Sequence, residues 1–137
     1  MAGTIRLQLA VLDGLFAICK LPVDDPIPNW ACTGDFCSIT RTADELSIVC
    51  RQDQVPLVVV CERDWRCLRV AGSMPFSVVG VMDSLVAPLA AAGISLFAIS
   101  TFDTDYLLMK SHSFASAVAV LRRAGHCFCR TPVADES

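Results

Sequence analysis

Two strand-length apolar segments separated by a short polar bend constrain this chain most. Gly93-Ile94-Ser95-Leu96-Phe97-Ala98-Ile99-Ser100 runs into Thr101-Phe102-Asp103-Thr104-Asp105, and Tyr106-Leu107-Leu108-Met109 follows. Branched and aromatic residues on both sides of turn-forming residues specify a strand, a polar corner and a second strand. The corner gathers two carboxylates and two hydroxyls at one sheet end. There they either receive the ammonium of a small ligand or satisfy the amides of the turn itself.

The surrounding residues complete a pattern. Trp65 to Val70 reads as a strand, 71–76 as a loop and Ser77 to Ala92 as a helix whose Val81, Leu85, Leu89 and Ala92 form one apolar stripe. Pro88 removes a backbone donor inside it, which predicts a kink or a late start, and Gly93 caps its end. Ser111 to Ala124 reads as a second helix with Phe114, Ala117, Val118 and Leu121 on one face. Ser111 or Ser113 is its N-cap, and Arg122, Arg123 and Gly125 suit its C-terminal end. A short strand over Cys127 to Arg130 closes the order β-α-β-β-α-β, the ferredoxin-like arrangement.

With 54% hydrophobic residues in 137, the chain can bury a core as one domain or as two small modules. A net charge of −3 offers no phosphate-tracking surface, so nucleic acid is not an expected partner. No uninterrupted apolar run reaches the roughly 20 residues of a bilayer-spanning helix. Arg6, Asp13 and Lys20 interrupt the only candidate leader segment, so a soluble cytoplasmic protein is expected. The eight cysteines mostly lie in apolar runs and read as small core side chains. Neither Cys32 with Cys37 nor His126-Cys127-Phe128-Cys129 has zinc-ligand spacing, and no metal or cofactor is expected.

In the first half, Thr4 to Leu12 and Leu15 to Leu21 flank Asp13-Gly14 and read as a hairpin. Pro22, Pro26 and Pro28 hold the next segment extended. Phe36 to Thr40 and Leu46 to Cys50 are two strands around the polar segment Arg41 to Glu45, and Leu57 to Glu62 is another. An offset of 60 residues matches Ile39-Thr40-Arg41 to Ile99-Ser100-Thr101 and Asp44-Glu45 to Thr104-Asp105, which points to two diverged copies of one unit. The first copy lacks a helix equivalent to Ser77 to Ala92.

A family resemblance rests on Met74-Pro75-Phe76-Ser77-Val78-Val79-Gly80 followed by the run from Gly93 to Tyr106. These residues resemble the ACT regulatory domain, and more narrowly the branch that includes the arginine-sensing CASTOR proteins and small bacterial ACT proteins. The resemblance covers about residues 63–130 and extends more weakly to the first half through Arg41 to Cys50. It implies an α+β chain of two ferredoxin-like, ACT-type units in tandem, with antiparallel sheets and helices on one face. Residues 1–62 form a degenerate first unit, 63–130 the second, and 131–137 a mobile tail.

A free amino acid presents a carboxylate beside an ammonium, so its site needs exposed backbone amides next to an acidic side chain. The helix start near Gly80 offers the first, and Asp103 and Asp105 offer the second. Equally, Gly80 only permits close helix packing and the acids only satisfy the turn. The resemblance implies an effector site at the junction of ACT units, carried by Met74, Phe76, Val79, Gly80 and Val81 and by Ser100, Thr101, Phe102, Thr104 and Asp105. Thr40, Arg41, Thr42, Asp44 and Glu45 are the counterparts in the first copy. Arg41 either takes a ligand carboxylate or pairs with Glu45. With two units in place of the arginine sensors' four, a complete junction requires a homodimer. The expectation is a non-enzymatic sensor of a small amino acid that reports through its oligomer or a protein partner. The rival is a ligand-free dimerisation module. His112 and His126 lie in no nucleophile motif, and no phosphate loop occurs.

Overall fold

The computed structural model describes residues 5–71 and 80–129. Among them are eight strands: β1 (Gln8–Val11), β2 (Phe16–Leu21), β3 (Ser38–Arg41), β4 (Leu46–Arg51), β5 (Cys61–Val70), β6 (Phe97–Ser100), β7 (Asp105–Lys110) and β8 (Cys127–Cys129). Two α-helices join them, α1 (Val81–Ala91) and α2 (Phe114–Arg123). Backbone contacts divide the chain into one compact unit of residues 14–65 and another made of 1–13 with 66–137.

The larger unit follows β5-α1-β6-β7-α2-β8 and adds a strand from the start of the chain. Its strand order is β8-β1-β5-β7-β6. β1 runs antiparallel to β5, with Leu9 opposite Val70, and parallel to β8, with Leu9 opposite Phe128. The expected hairpin about Asp13-Gly14 therefore does not form; alternation in Leu7 and Leu9 fixes which face is buried but says nothing of which strand lies beside it. Leu7 and Leu9 join Leu68, Val70, Leu107 and Met109 on the face covered by Val81, Leu85 and Leu89 of α1 and Ala117 and Leu121 of α2. Both stripes are those that helical spacing dictates.

Both helices stop the same way. Gly93 (φ 75°) and Gly125 (φ 106°) are left-handed, and the amides of Ile94 and His126 reach back to the carbonyls of Leu89 and Leu121 at 3.0 Å each. α1 starts late, at Val81, behind a left-handed Gly80 (φ 87°). Pro88 lies inside α1 and leaves the Ser84 carbonyl without its usual donor.

The smaller unit orders its strands β3-β4-β2-β5, the last through residues 61–65. Among its described residues are no α-helices, only single 3-10 turns at Asn29–Cys32 and Gln52–Gln54. Its core is Ala17, Cys19, Ala31, Leu46, Ile48, Cys50 and Val55, and Phe16 meets Phe36 edge-on at 5.9 Å. The segment read as a strand from Leu57 is a turn until Cys61, with Leu57 and Val58 each 91% exposed.

Candidate functional site

The polar corner between β6 and β7 is built by two threonines. Thr101 donates its amide to the Thr104 carbonyl at 2.8 Å, and its hydroxyl both donates to that carbonyl (3.0 Å) and accepts the Thr104 amide (3.2 Å). A threonine at the first position of such a turn closes it without help from elsewhere. The buried hydroxyl of Thr104 donates to the Val70 carbonyl at 2.7 Å, which fixes the corner to the end of β5. Ser100 donates to Asp105 Oδ1 at 2.6 Å. Phe102 stands 80% exposed at the tip.

The same end of the sheet holds the start of α1. The Ala71 amide reaches the Gln8 carbonyl at 2.8 Å where β5 ends, and a Cβ placed on Gly80 would touch Ile5, three residues before Gln8, at 3.4 Å. Gly80 and Val81 thus lie by β1 on one side of the β5 end, while Ser100, Thr101, Thr104 and Asp105 lie by β7 on the other. Met74, Phe76 and Val79, which the resemblance also assigns to the site, lie outside the described residues.

The first copy repeats the corner by itself. The Thr42 amide donates to the Glu45 carbonyl at 2.9 Å, and the Thr42 hydroxyl accepts the amides of Asp44 and Glu45 at 3.1 and 3.2 Å. Thr42 and Glu45 correspond to Thr101 and Thr104 at an offset of 59, one residue less than identity matching suggests. Arg41 is turned to the backbone: its guanidinium donates to the Val23 carbonyl and, at 2.9 Å, to that of Asp25. It thereby ties down the proline-rich loop that stands where a first helix would be.

His126, to which sequence spacing assigns no role, lines an open cleft of about 390 Å³ together with Ile5, Gly80, Asp83, Ser84, Ala87, Pro88 and Ala124. The ring is 3% exposed; Nδ1 accepts the Leu7 amide at 3.1 Å, so Nε2 carries the proton and donates to the Ser84 carbonyl at 3.0 Å. The signal was Pro88, whose missing N–H orphans a carbonyl that some other donor must meet. Burial alone lifts the Cys67 thiol to about 12, and burial, aided by Cys67 and opposed by the Arg69 guanidinium, raises the Tyr106 phenol. No group of three or more His, Cys, Asp or Glu is placed to hold a metal ion among the described residues.

A ferredoxin-like unit with a threonine-closed acidic corner at its strand end defines an α+β domain of the β-α-β-β-α-β class. Residues 60–123 match the ACT domain model, and residues 14–58 match the model of an N-terminal domain. Over residues 60–123 the chain carries an ACT domain. It is 38% identical over 60 residues to the human cytosolic arginine sensor for mTORC1 subunit 1, covering 43% of this chain and 18% of that protein. It is 29% identical over 87 residues to human CASTOR3P, covering 54% of this chain and 53% of that one. The chain thus spans from under a fifth to about half the length of these relatives.

A crystal structure of an Agobacterium tumefaciens protein superposes with a TM-score of 0.88 at 39% identity, over 93% of this chain and 95% of that one. The regulatory subunit of aspartate kinase from Thermus flavus shares the fold, with a TM-score of 0.60 at 11% identity over 85% of this chain and 95% of that one. No helix among the described residues is long and apolar enough to cross a membrane.

Proposed function

We propose that the chain is a non-enzymatic regulatory protein that binds a small amino acid at the strand-end corner of its ACT unit, with a second copy completing the site. The observation that carries this reading is the Thr104-to-Val70 hydrogen bond. It sets an acidic, hydroxyl-rich turn at the end of β5, the end from which the chain leads to the start of α1. Asp105 supplies a carboxylate for an ammonium, and the first amides of α1 supply donors for a carboxylate. A relative named as an arginine sensor supports an amino-acid effector. The mechanism is a population shift, in which the ligand favours one assembly by the difference in its affinity for the two.

Thermal unfolding of the chain is measured against each common amino acid. A ligand at 100 times its dissociation constant adds about 2.7 kcal/mol of stability. One or a few hits are expected, weakened by Asp105→Asn; silence across the set would leave a ligand-free pairing module.

A further inference from the structure

Cysteine is the side chain through which two facing strands can be joined covalently, and strand register within residues 14–65 sets two cysteines face to face. Cys19 of β2 stands opposite Cys61, the first residue of β5. The next pair along is joined by the Lys20 amide on the Val60 carbonyl at 3.0 Å, so Cys19 and Cys61 occupy a non-hydrogen-bonded position, where facing side chains come closest. Facing α-carbons at such a position are about 4.5 Å apart, inside the roughly 4.4–6.8 Å that a disulfide spans. Both side chains lie on the core face of the smaller unit: Cys19 belongs to its apolar cluster with Ala17 and Ile48, and Cys61 packs against that cluster.

Cys50 of β4 is the rival partner for Cys19, and register sets it aside. It faces Ala17, two residues from Cys19 along β2, a diagonal of about 7–8 Å between α-carbons that a disulfide does not bridge without backbone movement. Access separates the two members of the facing pair. Cys19 is 1% exposed, whereas Cys61 is half-buried and directly follows Val60, which is 72% exposed. An oxidant as small as hydrogen peroxide therefore meets Cys61 first. Burial, with Cys19 beside it, raises the Cys61 thiol against the pull of the Arg63 guanidinium, so mildly alkaline solution supplies the reactive thiolate.

We infer that Cys19 and Cys61 form an oxidative modification site, a cross-strand dithiol that hydrogen peroxide converts to a disulfide. The Cys61 thiolate attacks one peroxide oxygen and the O–O bond breaks. Cys61 becomes a sulfenic acid, and the departing hydroxide takes up the proton that Cys61 gave up, leaving as water. The Cys19 sulfur then attacks the Cys61 sulfur, the S–O bond breaks, and hydroxide leaves with the Cys19 proton as a second water. The protein loses two electrons and two protons, and one peroxide becomes two waters. The new bond ties β2 to the start of β5, in the register that holds beyond the irregularity between Phe16 and Ile18.

The full chain is reduced, freed of reductant, treated with hydrogen peroxide in mildly alkaline buffer, alkylated in denaturant and cut with trypsin. Lys20 and Arg63 end peptides 7–20 and 52–63, whose sole cysteines are Cys19 and Cys61. The expected product is these two peptides joined, lighter by two hydrogens than their sum and separated again by reductant. Cys19→Ala is expected to stop at a Cys61 sulfenic acid that dimedone traps, and Cys61→Ala to leave Cys19 fully alkylated. Alkylation of both cysteines in the unsubstituted chain overturns the inference. So does a disulfide joining peptide 7–20 to 42–51, which carries Cys50, or a dimedone adduct on Cys19.

Discussion

Pro88 withholds a backbone donor from the Ser84 carbonyl, and the imidazole of His126 supplies it from 3.0 Å away. The same ring accepts the Leu7 amide, so one side chain joins helix α1 to the segment entering β1. Replacing His126 by Leu leaves two buried polar groups unmet and should cost about 2–3 kcal/mol of unfolding free energy. Pro88→Ala restores the helical N–H to Ser84. In that background the His126 substitution should cost about 1 kcal/mol less, read from urea unfolding of both single variants and the double. Strict additivity would show that the two residues are not coupled.

Thr104→Val keeps the shape of the side chain and removes the hydroxyl that anchors the corner to Val70. A loss of about 1–2 kcal/mol is expected in chemical unfolding, because the Val70 carbonyl is left buried without this donor. Thr42→Val, in an exposed turn, should cost less than half as much.

Cys67 sets a pH dependence. Its folded value of about 12 lies above the thiol's ordinary 9.0, so below 9 both folded and unfolded chains hold the proton and the group leaves stability unchanged. Between 9 and about 12 the unfolded chain releases its proton while the folded chain keeps it, and stability falls as pH rises, by at most about 1.4 kcal/mol per pH unit. Cys67→Ala should flatten the alkaline limb of a plot of unfolding free energy against pH. An unchanged slope would assign that limb to other groups.

Leu57→Ser and Val58→Ser touch side chains that are each 91% exposed. Both should leave the unfolding free energy within about 0.5 kcal/mol of that of the unsubstituted chain. A larger loss would mean that this apolar turn is covered in solution.

The helical half of the fold was legible because its signals are local. The stripe of Val81, Leu85 and Leu89, the glycines at 93 and 125 and the corner at Thr101 each specify geometry within a few residues. The partners of strands were not. Leu7 and Leu9 announce a buried face, but their neighbour β8 lies over a hundred residues away, and Asp13-Gly14 carries a turn signal between strands that never pair with each other. Identity matching set the repeat one residue out of step, since the turn hydrogen bonds, rather than Thr40-Arg41, align the copies. Of the candidate site, the corner residues were legible from their chemistry. His126 was not, because its role depends on a proline in another helix.

The strand that separates β5 from β8 comes from the opening of the chain. A ribosome therefore delivers an inner strand of the ACT sheet long before either strand that will border it. An excised piece limited to residues 60–123 would present a raw, unpartnered margin on β5. For anyone cloning this domain, the first dozen residues belong inside the gene fragment, since without them that margin is a template for another molecule's strand.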